Sequence, residues 1–169
     1  LSSVEETLSQ ETLRQRILGF RHSLEEDFGI RCPRIAVLSL NPQGGVEACP
    51  QHYAQEVMLP LMETLKNQEL YVYGPYSADY MLENDLYSHF DGVMALGYDQ
   101  GVSLFRALSR EEGARLRAGG SAVVTTPLGG VGYDYAGKGV TEPSSLRQAI
   151  YLALDVWRQR RFQAYARRN

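Results

Sequence analysis

Cysteine, histidine and lysine are scarce in these 169 residues, at two, three and two. Cys32 and Cys49 stand alone, without CxxC spacing, which predicts a reduced, cytoplasmic protein. His22, His52 and His89 fall in no ligand spacing, which argues against a zinc site built from this chain alone. No apolar run approaches the ~20 residues that span a bilayer, so no membrane segment is expected. A basic-then-apolar leader is missing, and so is an initiator Met before Leu1, a start expected of a piece of something longer. With 44% hydrophobic and 22% charged residues, the composition excludes a disordered polymer, a collagen-like repeat and a disulfide miniprotein. The length fits one hydrophobic core.

Charge is present but lopsided. Residues 1–100 hold 15 acids and 6 bases, a sum of −9; residues 101–169 hold 5 acids and 11 bases, a sum of +6. Five arginines lie between Arg158 and Arg168. They read either as an anion or nucleic-acid surface or as a solvated helix end favoured by the helix dipole. No aromatic-interleaved basic stretch accompanies them, so the second reading is preferred and no nucleic-acid partner is expected.

Strand and helix signals alternate along the chain. Leu13, Ile17, Phe20 and Leu24 repeat at helical spacing within a helix predicted over about 4–28, which Gly29 is placed to end. The run Arg34–Leu40 suits a strand buried on both faces of a parallel sheet. A helix over about 51–65 carries Val57, Met58, Leu61, Met62 and Leu65 inward, with a kink or break expected at Pro60. Leu70–Tyr73 reads as a strand stopped by Gly74-Pro75, and a short helix begins near Ser77. Phe90–Leu96 reads as a strand, and Gly97–Gly101 as the loop before a helix over about 102–108. Residues 109–120 read as a charged, Gly-bearing stretch, and Ala122–Thr125 as a final strand. The five glycines within Pro127–Gly139 mark a loop. The last helix starts near Ser144 and is expected to turn Leu146, Ile150, Ala153, Leu154 and Trp157 inward. The alternation predicts an α/β domain with a largely parallel sheet and right-handed crossovers. Ligands of such sheets bind beyond the C-terminal ends of the strands. The loops Asn41–Gly45, Gly97–Gly101 and Pro127–Gly139 fall there.

Four strings occur in order: Pro33-Arg34-Ile35-Ala36-Val37-Leu38-Ser39-Leu40-Asn41-Pro42, Gly74-Pro75-Tyr76-Ser77-Ala78-Asp79, Asp99-Gln100-Gly101 and Ala136-Gly137-Lys138-Gly139. Together they resemble the C-terminal half of the 4-hydroxythreonine-4-phosphate dehydrogenase family of pyridoxal phosphate biosynthesis. The resemblance implies a three-layer α/β/α fold of the isocitrate/isopropylmalate dehydrogenase type, with residues 1–169 forming the C-terminal half of a two-domain subunit. It further implies a homodimer with the active site in the interdomain cleft. There a hydroxyl is oxidised by hydride transfer to NAD, with decarboxylation following. A divalent metal held by three histidines polarises the substrate oxygen.

This chain departs from that pattern at the chemistry. Asn41-Pro42-Gln43-Gly44-Gly45 stands where the family has Asn-Pro-His-Ala-Gly, and Gly97-Tyr98-Asp99-Gln100-Gly101 where it has Tyr-His-Asp-Gln-Gly. Gln43 and Tyr98 thus replace two metal-ligand histidines, and an amide and a phenol are poor substitutes for imidazole. By the same resemblance Arg106 replaces a lysine that grips the anionic substrate, and Arg115 falls near a family asparagine. Val124-Thr125-Thr126 replaces Arg-Thr-Ser, and Leu128-Gly129-Gly130-Val131 replaces Asp-His-Gly-Thr.

The candidate site follows from these matches. Asp99 and Arg106 are catalytic candidates; Asn41, Gln43, Tyr98, Gln100 and Arg115 are substrate-binding candidates. Gly130, Gly132, Asp134, Ala136 and Gly137 form the candidate NAD loop, and no metal ligand is assigned. Asp134 reads equally as a turn cap, Gly137 as a turn former and Asp99 as a helix cap. The first functional reading is a dehydrogenase-like chain impaired in catalysis, keeping the fold and the dimer surface. The alternative is a divergent family member that binds another small anion, with or without NAD. A third is a non-catalytic interaction module using the basic last helix.

Overall fold

A computed structural model describes residues 9–40, 53–109, 113–129 and 132–167. The chain forms two compact units, residues 1–25 with 29–104, and residues 26–28 with 105–169.

The first unit is a parallel α/β sheet. Helix α1, Gln10–Phe28, is capped by Ser9, whose hydroxyl accepts from the Thr12 N–H. It ends at Gly29 in the left-handed conformation, as predicted. Leu13, Ile17 and Leu24 are buried from it, and Phe20 packs against the same core. Strand β1, Ile35–Leu38, is buried at every position. That is the expectation for a central strand covered on both faces. A π-helical turn, Ala54–Met58, runs without a break into α2, Leu59–Asn67, and the wider turn lies just before Pro60, whose ring and missing N–H disrupt regular α-helical bonding to the preceding turn. That irregular turn stands where a kink or break was expected, and Met58, Leu61, Met62 and Leu65 are buried as predicted. Strand β2, Val72–Tyr76, leads through the Ser77 cap into α3, Ala78–Glu83. Strand β3, Gly92–Met94, precedes α4, Tyr98–Ser109. Both β2 and β3 run parallel to β1, in the order β2-β1-β3.

An ion pair fixes the start of that sheet. Asp91 accepts from the Arg34 backbone N–H at 2.8 Å and from its Nε at 3.2 Å, joining the residues that precede β1 and β3. The Arg34 hydrogen bonds hold the Asp91 carboxyl below its ordinary range. A carboxylate depressed in the folded state contributes stability above its unfolded pKa and loses it as pH falls through the folded value. Urea midpoints of the wild type and Asp91→Asn should therefore differ at neutral pH and converge below about pH 4. A gap that persists unchanged in acid would show that the charge of Asp91 is immaterial.

The second unit is built from a hairpin and a long helix. Strands β4, Ala114–Arg117, and β5, Val124–Pro127, pair antiparallel, with Arg115 opposite Thr126. Helix α5, Ser144–Ala166, packs with them, and the Thr125 hydroxyl donates to the Ala149 carbonyl at 2.8 Å. Its residue Arg160 pairs with the buried Asp27 at 2.6 Å.

Four local expectations are corrected. Strand β2 does not stop at Gly74-Pro75 but runs through it; it is an edge strand with a register shift against Ala36 and Leu38, where proline is tolerated. Residues 98–101 are not loop but the first turn of α4, so Asp99 lies inside the helix rather than capping it. Strand β4 arises within the stretch read as irregular, and β4–β5 forms its own antiparallel sheet. Helix α5 buries Ala149 and Val156, while Leu146 (53%), Ile150 (52%), Leu154 (43%) and Trp157 (49%) stay exposed. The stripe that periodicity assigned to the core is thus an open flank.

Candidate functional site

In the first unit the C-terminal ends of β1, β2 and β3 share one edge, as parallel strands must. Ser39, the residue after β1, is buried there. Its N–H donates to the Tyr76 carbonyl at 2.7 Å, and its carbonyl accepts from Gln100 Nε2 at 2.7 Å. The backbone of this one residue thereby ties the end of β2 to the head of α4. Gln100 was a predicted site residue; Ser39 was not. Nothing in a serine at the end of an apolar run marks it as the joint, because its backbone makes these contacts. Gln100 Oε1 is buried and has no hydrogen-bond partner among the described residues.

Helix α4 presents Tyr98 and Asp99 at its N-terminus. Tyr98 is 70% exposed, and Asp99 is exposed beside it. A carboxylate in the first turn is favoured by the positive end of the helix dipole. Tyr76, at the end of β2, meets Phe90 in a tilted ring contact at 5.8 Å, and Phe90 also meets Tyr73 at 5.6 Å. Burial pushes the Tyr76 phenol up from its ordinary value, with Tyr73 and Tyr80 adding to the effect. It stays neutral at physiological pH, an amphipathic wall rather than an acid or base.

The remaining predicted residues belong to the second unit or lie outside the described residues. Arg106 is exposed on α4, and Arg115 is exposed on β4. Gly132 and Gly137 both take left-handed backbone, at φ 59° and 74°. Between them Asp134 sits in a short 3-10 turn, Tyr133–Tyr135, and Ala136 ends it. Backbone bonds close the segment on itself, from Tyr135 N–H to Gly132 at 2.9 Å and from Ala136 N–H to Tyr133 at 3.2 Å. Its side chains are exposed throughout. The turn-forming reading of Gly137 therefore has a direct geometric basis. Asn41, Gln43 and Gly130 lie outside the described residues.

A parallel α/β sheet with a polar edge headed by a helix N-terminus defines the class of α/β ligand-binding folds. The family model described as pyridoxal phosphate biosynthetic protein PdxA matches residues 1–153, and the chain belongs to that family. It is 42% identical over 163 residues to the 4-hydroxythreonine-4-phosphate dehydrogenase of Bacteroides thetaiotaomicron, across 96% of this chain and 45% of that one. The corresponding enzyme of a Sulfurihydrogenibium species is 30% identical, across 95% of this chain and 49% of its own length. The crystal structure of the Klebsiella pneumoniae enzyme superposes with a TM-score of 0.73 at 25% identity, over 92% of this chain and 47% of that one. This chain thus spans about half the length of the relatives it matches. The match agrees with the isocitrate/isopropylmalate dehydrogenase-type fold expected from the sequence.

Proposed function

We propose that this chain is the C-terminal half of a subunit built like 4-hydroxythreonine-4-phosphate dehydrogenase, and that as this chain it is impaired in that oxidation. The observation that carries the proposal is Tyr98, a phenol at the exposed head of α4 where the family places a metal-ligand histidine. Gln43 replaces the second. Among the described residues no group of three His, Cys, Asp or Glu gathers to hold a metal ion. An amide and a phenol do not fit a site for a divalent transition metal. No step of the chemistry is therefore drawn through a metal.

The rest of the edge suits binding. The first-turn amides of α4 face an anion favourably, and Gln100 holds that helix head against Ser39. Taken by themselves, Arg106 and Arg115 in the second unit carry positive charge that suits a phosphorylated hydroxy amino acid. The exposed Asp134 carboxylate fits a ribose diol, and Gly132, Ala136 and Gly137 leave bare backbone for a nucleotide. NAD, when bound, would accept the hydride. A cytoplasmic location and a homodimer belong to the same reading. Among the described residues no helix is long and apolar enough to cross a membrane.

The test is NADH formation from 4-phosphohydroxythreonine and NAD with added divalent metal, with the Bacteroides relative as positive control. No turnover is expected from this chain, and metal-dependent turnover would refute the proposal. The double variant Gln43→His, Tyr98→His should bind zinc more tightly than the wild type in calorimetry, since it restores two imidazoles.

A second reading rests on the two exposed arginines. Arg106 and Arg115 stand where the resemblance implies a lysine and an asparagine, so a different small anion could be the ligand. Guanidinium groups grip carboxylate or phosphate in two-pronged fashion. Calorimetric titration of phosphorylated hydroxy acids, with and without NAD, separates this reading from the first.

A further inference from the structure

We infer that the outer face of the β4–β5 hairpin holds a small phosphate monoester. Arg117 supplies a cation for it, from the strand opposite the one where the resemblance implies an arginine. This site rests on the second reading above, that the chain binds a small anion, and gives that anion a chemical class and a further residue. Alternation along the two strands defines the face. Leu116 and Thr125 are register partners, and the Thr125 hydroxyl bonds to the Ala149 carbonyl of α5, so this pair lies on the helix side. Successive side chains of a strand point to opposite faces. Arg115, Arg117, Val124 and Thr126 therefore share the other side, and all four are exposed.

The register explains how the cation changes strands. Arg117 is directly opposite Val124. Directly opposed residues have Cβ atoms about 4.5–5.5 Å apart, and like charges in such a pair destabilise the ladder. An arginine at 124 and an arginine at 117 thus exclude one another. In this chain valine occupies 124 and the arginine stands across from it. The face keeps its positive charge while the residue that bears it crosses the ladder.

The surroundings point to the anion. Arg115 lies two residues from Arg117 on the same face, a step of roughly 7 Å along a strand, so both long side chains can reach one phosphate. Thr126, opposite Arg115, adds a hydroxyl. No acidic residue occurs in the sequence between Glu112 and Asp134, so the hairpin brings no carboxylate of its own to these cations. Arg117 enters no ion pair among the described residues, whereas Arg160 and Arg167 are committed to Asp27 and Glu26. Two neighbouring guanidinium groups suit a monoester, which carries close to two charges at neutral pH, better than a diester, which carries one.

The test is calorimetric titration of the chain with O-phosphothreonine, beside threonine and a single-stranded oligonucleotide as controls. The wild type should bind the phosphorylated acid and ignore threonine. Arg117→Gln should weaken binding by roughly tenfold or more, with circular dichroism unchanged because residue 117 is exposed. Val124→Arg alone should lower the urea midpoint by opposing Arg117. Arg117→Val combined with Val124→Arg should restore both the midpoint and the affinity, a rescue that a purely structural role for Arg117 would not produce. A wild type that binds no phosphothreonine would overturn both this site and the reading it rests on. Binding that survives Arg117→Gln but is lost in Arg106→Gln would overturn the site alone. So would a combined variant as weak as Arg117→Gln, or an oligonucleotide bound more tightly than the monoester.

Discussion

Replacing Arg160 by alanine should lower stability by roughly 3–5 kcal/mol, the cost of stranding a buried carboxylate. Asp27 is buried in the last turn of α1, where the helix dipole is itself negative. Arg160 Nε donates to it at 2.6 Å, and the Nη1 group donates to the Gly120 carbonyl at 2.8 Å. The Asp27 carboxylate raises the Arg160 guanidinium above its ordinary value, so the cation persists at every accessible pH. The measurement is the urea midpoint with the slope unchanged, which isolates stability from compactness. Arg158→Ala is the internal control. Its partner Asp155 is one helical turn away and both groups are exposed, so a change within about 0.5 kcal/mol is expected. Equal losses from the two variants would mean that Asp27 is solvated after all. Arg160→Lys should recover only part of the loss, because an ammonium cannot serve Asp27 and Gly120 with the same planar fork.

Gly74→Ala should cost about 2–5 kcal/mol through strain and overlap together. Gly74 has φ 131°, a backbone conformation that side chains disfavour, and a Cβ there would lie 2.4 Å from the Val37 carbonyl oxygen. That oxygen is main chain in the central strand, so it has no rotamer to change. The substitution must push β2 from β1 at the register shift, close to the Ser39 joint that holds the head of α4. Thermal unfolding should show the loss. Reduced shielding of Tyr76 in near-ultraviolet difference spectra would locate it at this edge. Gly129→Ala is the contrast, since no atom lies within 4 Å of a Cβ there and its φ is not left-handed. A Gly74→Ala protein as stable as that control would refute the close-approach argument.

Sequence reading succeeded where one local rule dominates. Helix α1 was legible because an apolar period, a capping serine and Gly29 all agree, and β1 because four consecutive apolar residues suit a strand covered on both faces. The family was legible because four strings recur in order. It failed where tertiary surroundings overrule the local signal. Gly74-Pro75 reads as a stop, yet an edge position and a register shift let β2 continue through it. The Ala-Arg-Leu-Arg segment of β4 has only two inward positions, too few to stand out among charged neighbours. In α5 the stronger apolar stripe is the exposed one, so periodicity named the wrong face: amphipathicity says that a face will be covered, not what covers it. At the candidate site the sequence supplied Gln100 and Tyr98. It gave no sign of Ser39, which acts through its backbone.

The basic C-terminal cluster also changes meaning. A solvated helix end was expected, but Arg160 is committed to Asp27, Arg167 to Glu26 and Arg161 to Trp157. Much of the positive charge in this region is thus structural.

The order of the parallel sheet bears on how a ribosome would deliver it. Strand β1 is central, but its partners β2 and β3 both come later in the chain, as Ile35 pairs with Val72 and Gly92. During synthesis the most apolar strand emerges first and waits for both neighbours. Helix α1 precedes it and supplies Leu13, Ile17 and Leu24 to the same core, so one face can be sheltered early. One hydrogen-bonding edge can be met once Tyr76 has emerged, the other only after Met94 has left the exit tunnel. Such long-range pairing slows folding and exposes nascent strands to the wrong partners. Among the described strands of this sheet, the middle one is made first and completed last.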